Sequence, residues 1–221
     1  MAVPRTGYRA GMTRTGFKRH PERGSLDRDL VHSFLDAAPI CHFGFVREGH
    51  PVVLPTIHGR VGDTIYIHGS KAAGNLRDLR DGLEVCVAVT IVDGIKAARS
   101  LFEHSMQYRS AVVFGTGRLV ETSEERTLAF RAITEHVLPG RWDDARHPSR
   151  PEDRQTTIIA IEIEEASAKV SSGYPEDEDA DGELDVWAGV IPMRLAYGEP
   201  DPVPDLRAGI EVPDYIRDLV D

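Results

Sequence analysis

The chain has 221 residues, 41% of them apolar, and a formal net charge of −10. That length suits one domain with a sizeable core, and the acidic balance argues against chain-wide nucleic-acid binding. No apolar run approaches the roughly 18 residues of a membrane helix, and no apolar h-region follows the N-terminus, so neither membrane span nor secretory signal is expected and the cytoplasm is the expected location.

The charge is uneven. Residues 1–24 hold six Lys/Arg and one acid, about +5 by formal counting, and read as a flexible basic tail without periodicity. Residues 25–195 read as the folded domain and 196–221 as a Pro- and Asp-rich C-terminal extension. Ser25 to Asp29 offers cap chemistry to a short amphipathic helix with Leu30, Phe34 and Leu35 on one face; Ala38-Pro39 ends it.

Three strand-like runs follow, Ile40–Val46, Val52–His58 and Thr64–His68, punctuated by turns at Glu48-Gly49-His50 and at 59–63. A helix is expected from Lys71 to Asp81, stopped by Gly82. Val85–Val92 is apolar on both alternating faces, which places it inside a barrel or under a partner. Ser110–Val120 is a long strand in which Gly115 and Gly117 indicate a bulge, a bend or close backbone approach. Thr122-Ser123-Glu124-Glu125 caps a helix to about Val137, residues 139–155 read as an irregular connection, and Thr157–Ile163 alternates as a further strand. Residues 175–185 carry seven acids and read as a solvated acidic loop. Few helices among many consecutive strands predict a mainly β fold, an antiparallel barrel with peripheral helices.

Cys41 and Cys86 lie in apolar runs without CxxC spacing and are expected as reduced, buried thiols. Centring the hairpin between the second and third runs near Val61 sets His68 opposite Leu54, about 13 Å of strand from His58, so no shared metal site is expected.

Three segments carry chemistry. In the run from Ile65 to Leu76, a strand ends in Gly69, then offers the Ser70 hydroxyl, the Lys71 ammonium and a helix start, which together suit a phosphate. An ordinary strand–turn–helix with a surface lysine fits the same residues. In the second segment Arg109 and Ser110 open the long strand, and Arg109 can join Lys71 on a phosphate or pair with a surface acid. In the third, Trp187 can be plain core or can lie against a flat cofactor.

These segments, in this order, resemble the pyridoxamine 5'-phosphate oxidase-like FMN-binding split-barrel superfamily, in particular its flavin-nucleotide-binding and nitroimidazole-reductase-like branch. The run Ile65 to Gly74, Tyr108-Arg109-Ser110 with Gly115, and Trp187-x-Gly-Val-x-Pro carry the likeness over roughly residues 25–195. The resemblance implies an FMN-binding homodimer with the flavin at the subunit interface. Ser70, Lys71 and Asn75 would meet the phosphate, with Arg109 and Ser110 beside it or on the ribityl chain. Pro55, Thr56, Ile57 and His58 would run along the ring edge, and Ile67 and His68 near the ring. Trp187 would reach it from the other subunit. True pyridoxamine-phosphate oxidases carry Arg-Leu-His-Asp-Arg near the C-terminus. This chain has Arg194-Leu195-Ala196-Tyr197, so that reaction is not expected. The expected function is a flavin-dependent oxidoreductase using a small-molecule reductant or acceptor. Its alternatives are a non-catalytic flavin carrier or sensor, and a haem-binding barrel with His68 or His42 as axial ligand.

Overall fold

The computed structural model describes residues 14–16, 21–71 and 82–220. After a single 3-10 turn, β1 (Gly24–Ser25) and α1 (Arg28–Ala37) lead into β2 (Cys41–Arg47), β3 (His50–Thr56), β4 (His58–Val61) and β5 (Thr64–Ser70). The fifteen-residue strands β6 (Leu83–Ala97) and β7 (Ser105–Leu119) form the spine. Then come α2 (Ser123–Val137), α3 (Arg141–Asp144), α4 (Arg150–Gln155), β8 (Thr156–Glu162), β9 (Glu165–Ser171), β10 (Gly189–Pro192) and α5 (Asp214–Arg217).

All these strands belong to one sheet in the order β3-β2-β6-β7-β8-β5-β4, with β9 on β7, β1 on β9 and β10 on β6. Every pairing is antiparallel. The expected fold class is therefore observed: an antiparallel, mainly β split barrel whose helices lie at the periphery.

The local chemistry accounts for the elements. Asp27 accepts from the Asp29 amide at the start of α1, and Thr122 accepts from the Glu125 amide at the start of α2. Val31, Phe34 and Leu35 turn into the barrel core, with Leu30 only at its margin. The two-residue turn between β2 and β3 places Glu48 and Gly49 at φ of 51° and 80°, the geometry of a tight hairpin. Alternation then fills the barrel: Phe43, Val87, Val113, Ile159 and Ile161 are fully buried inside it. A second cluster, Tyr66, Val120, Ala129, Ile133, Ile158 and Ala160, packs α2 against the outside of β5 and β8.

On β6, Val85, Val87 and Val89 are buried, while the opposite face is open within one chain, with Val92 40% exposed, so of the two expected settings the strand is not wholly inside the barrel. Other expectations change. The second hairpin turns at Gly62-Asp63, setting Val61 against Thr64 and His58 against Ile67, not His68 against Leu54. His58 and His68 therefore point to opposite faces of the sheet. The connection at 139–155 contains α3 and α4, and β9 adds a strand absent from the sequence reading. The acidic loop is not wholly solvated: the Asp177 carboxylate accepts from the Arg99 and Ser100 amides at 2.9 and 3.1 Å and caps the loop between β6 and β7. Arg14, from the basic tail, pairs with Glu165 at 3.0 Å.

Close approach is the reason for Gly115. A Cβ there would stand 2.0 Å from the Glu162 carbonyl oxygen, a backbone atom that cannot swing away. Gly115→Ala is expected to cost about 3 kcal/mol or more of stability, measured as a shift in the urea midpoint; a neutral outcome would mean that β7 and β8 do not meet there.

Candidate functional site

The site is built at the end of β5, whose residues alternate. Ile65 and Ile67 enter the barrel core, while Tyr66, His68 and Ser70 face outward. His68 is half-buried, its Nδ1 is buried without a hydrogen-bond partner, and burial lowers its pKa. The strand leaves the sheet at Ser70, opposite Thr156 at the start of β8. Lys71 is exposed and, among the described residues, has no ion pair or hydrogen bond. His68, Ser70 and Lys71 are thus brought to one open strand end. Asn75 and the helix expected from Lys71 to Asp81 lie outside the described residues.

Pro55 and Thr56 close β3, opposite His42 and Cys41, and Ile57 is the break before β4. Pro55 is exposed while Thr56 and Ile57 are half-buried. The His58 side chain faces the core. It is fully buried, its Nε2 is 2.9 Å from the Leu35 carbonyl, and its ring lies 4.3 Å from that of His136. His136 in turn meets the Ala38 carbonyl at 2.8 Å, so both imidazoles serve the C-terminal turn of α1.

Arg109 and Ser110 stand elsewhere. Arg109 is opposite Ile91 on β6 and Val170 on β9. A bulge between Val92 and Gly94 brings Asp93 into reach, and the carboxylate takes Arg109 in a two-pronged pair at 2.9 and 2.7 Å. This pairing holds the Asp93 carboxyl below its usual range. β8 joins β7 only at Gly117–Leu119, about 26 Å of strand beyond Arg109, and Ser70 lies farther along still. The expected pairing of Lys71 with Arg109 on one phosphate does not form within one chain. Trp187 belongs to the Arg109 end: it is 66% exposed and packs on Gly189, where β10 joins the far part of β6.

Residues without a motif of their own line a cleft between α2 and the α3–α4 segment. Arg126 of α2 donates to the Thr156 carbonyl at 2.9 Å and to Asp153 at 2.8 Å, tying α2 to the junction of α4 and β8. Trp142 and His147 stack with ring centroids 4.1 Å apart. The signal for α4 was present in Ser149-x-x-Glu152, a capping box. Among the described residues no three His, Cys, Asp or Glu side chains are grouped to hold a metal ion, and no helix is long and apolar enough to cross a membrane. Cys41 and Cys86 are free, and burial pushes the Cys41 thiol up to about 12.

Residues 27–170 match the family described as pyridoxamine 5'-phosphate oxidase. No curated protein matches the sequence at a significant level. Among solved structures, the FAD and haem binding protein from Mycobacterium smegmatis is 38% identical, with a TM-score of 0.84, over 90% of this chain and 97% of that one. The flavocytochrome Anf3 from Azotobacter vinelandii is 32% identical, with a TM-score of 0.87, over 94% and 97%. A Bacteroides thetaiotaomicron protein assigned to 5-nitroimidazole antibiotic resistance is 26% identical, with a TM-score of 0.56, over 66% and 86%.

The buried His58 makes folding pH-dependent. Burial first, then the nearby His136, push its pKa from 6.5 down to about 4. Between these values the unfolded chain binds a proton that the folded chain refuses, so stability present above pH 6.5 is lost as pH falls toward 4. The full loss is about 3 kcal/mol. Urea unfolding at successive pH values should show this slope in the wild type and a flatter one in His58→Gln; equal slopes would assign the effect to another group.

Proposed function

The chain belongs to the pyridoxamine 5'-phosphate oxidase family, and on that premise we propose that it binds a flavin at the open end of β5 and passes electrons to or from small molecules, with haem as a second redox group. The observation that carries this reading is the strand end itself. Lys71 is an exposed cation with no partner among the described residues, one residue beyond an outward-facing hydroxyl and three beyond His68. A phosphate there gains charge-assisted hydrogen bonds from Lys71 and Ser70. The monophosphate is common to FMN, the simplest fit to the motif, and to the FMN half of FAD.

The second cofactor has support from the two relatives above 30% identity, one described as binding FAD and haem and the other as a flavocytochrome. His68 would hold a haem better than His42 would. The His68 Nδ1 is a buried polar atom without a partner, which costs about 1–3 kcal/mol until a ligand engages the ring. His42 is exposed on the outer face of β2. A bound flavin or haem supplies the electron transfer; the chain's own residues bind, orient and shield it. Oxidation of pyridoxamine phosphate is not the proposed reaction, because Ala196 and Tyr197 stand where the family's oxidases place the histidine and aspartate that accompany their substrate-gripping arginines.

A homodimer completes the reading. The outer face of β3, β2 and β6 is apolar and open, with Val53 63%, Val46 55% and Val92 40% exposed. A second copy covering that face would bring its own Arg109, Ser110 and Trp187 to a flavin that one chain cannot reach with both ends of its sheet.

The purified protein should show flavin absorption, a Soret band on haem loading, and a dimer by light scattering. Lys71→Ala should weaken flavin affinity about tenfold or more. A protein that stays colourless and takes up neither FMN nor FAD would end the proposal, and a monomer would remove the shared site.

A further inference from the structure

At the Arg109 end of the sheet a cavity of about 400 Å³ opens between the β6–β7 loop and the segment that follows β9. That volume lies within the usual range for small-molecule sites. Lys96 and Ser105 reach it from β6 and β7, which pair at those two residues, and Val190 of β10 pairs with Lys96 on its other side. Arg23 enters from the turn before β1, and Tyr174 from the residues after β9.

Lys96 is the unusual group in the lining. It is only 3% exposed, and lysine is almost never buried so far without a counterion. Among the described residues no carboxylate pairs with it. Its Nζ donates to the Ser172 carbonyl at 2.5 Å, which uses one of the three N–H donors of the ammonium. Burial first, and then the Arg23 guanidinium, lower its pKa, and Glu176 offsets only part of that. A bound anion would offset both. Arg23 is shared between Glu176 at 3.5 Å and Glu22 at 3.6 Å. Both contacts are longer than a well-formed charge-assisted bond, so the guanidinium has donors to give to a ligand.

The rest of the lining narrows the class of anion. Glu103 and Glu176 share the cavity with the two cations, so a phosphate dianion would meet repulsion that a single negative charge largely escapes. Phe102 and Tyr174 also line it, and their side chains are left open to water at 85% and 76% exposure. Covering such rings favours a flat apolar body. We propose that this cavity binds a small aromatic monocarboxylate, with its carboxylate on Lys96 and Arg23 and its ring against Phe102 and Tyr174. The site is separate from the end of β5, and the proposal stands without the flavin reading.

The test titrates the full chain with benzoate as the probe, beside benzamide and inorganic phosphate, and measures each affinity by calorimetry. Benzoate should bind. Benzamide, which has the same shape without the charge, should bind about tenfold or more weakly, and inorganic phosphate should also be weaker than benzoate. Lys96→Met keeps the buried stem and removes the charge, so it should fold with an unchanged or higher urea midpoint. It should lose benzoate affinity about tenfold or more. Glu176→Gln is a surface change that frees Arg23 from a competing acid, and it should tighten benzoate binding. The proposal is overturned if the wild type does not bind benzoate, if benzamide binds as well, or if Lys96→Met binds benzoate undiminished. Phosphate binding tighter than benzoate overturns it too, in favour of a plain anion site. Should Lys96→Met fail to fold, Glu176→Gln decides, and benzoate affinity that stays level or falls in that variant overturns the proposal.

Discussion

β7 has one neighbour on one edge and two on the other, and the rest of the architecture depends on that. Along its length it pairs with β6, while its free edge takes β9 from Tyr108 to Phe114 and then β8 from Gly117 to Leu119. The hand-over occurs at Gly115, where the backbone of Glu162 passes so close that no side chain fits. Beyond that point the amides of Ile163 and Glu164 donate to the carbonyls of Asp63 and Phe114, stitching the β8–β9 corner to both flanking strands. A sheet that changes partners at one residue can curl around a core without an unpaired edge in its middle, and here it stays open between β3 and β4. The core follows, because the inward-facing residues of β2, β6, β7, β8 and β5 then surround one volume.

The same geometry separates the chemistry. Continuing the sheet through β8 and β5 carries Ser70 and Lys71 to one end, while the extended β6–β7 hairpin carries Arg109 and Trp187 to the other. Within one chain Arg109 is consigned to Asp93, in a pair whose side chains are 39% and 34% exposed. A pair that open to water contributes about 0–1 kcal/mol, so exchanging Asp93 for a phosphate or a partner's acid would cost little. Asp93 is best viewed as a holder of the arginine, kept in reach by the bulge at Val92/Gly94.

What the sequence disclosed depended on how strongly each residue type announces its environment. Alternating Val, Ile and Phe marked β2, β5, β6, β7 and β8, and Thr122 with Glu125 marked α2. β9 was passed over because Glu165-Ala166-Ser167-Ala168-Lys169-Val170-Ser171 offers small side chains, whose strand preference is weak; its place is set by β7, not by its own pattern. The register of the β4–β5 hairpin was misplaced because Gly59 looked like part of the turn. It is a strand residue, glycine because the backbone of Ala132 in α2 lies against it, within 2.5 Å of where a Cβ would stand. The short sequence motif at Gly69-Ser70-Lys71 did mark an open strand end. Which distant residue lies beside that end was not legible, because Arg126 reaches it from α2, through the Thr156 carbonyl, rather than through the motif.

The arginines show what a fold adds to a composition. Sequence presents Arg60, Arg109, Arg118, Arg126 and Arg150 as equivalent cations. In the structure Arg60 is clamped by Asp36, Arg118 by Glu125, and Arg126 by Asp153 together with three backbone carbonyls. Each of these guanidiniums has its donors directed at fixed acceptors, and a ligand could recruit it only by breaking bonds already made. Arg150 and Lys71 carry no such commitments among the described residues, and both lie close to where β8 begins beside the end of β5. In a chain with ten more negative than positive formal charges, an uncommitted cation at an exposed strand end is a place where an anionic ligand need not displace one of the protein's own carboxylates.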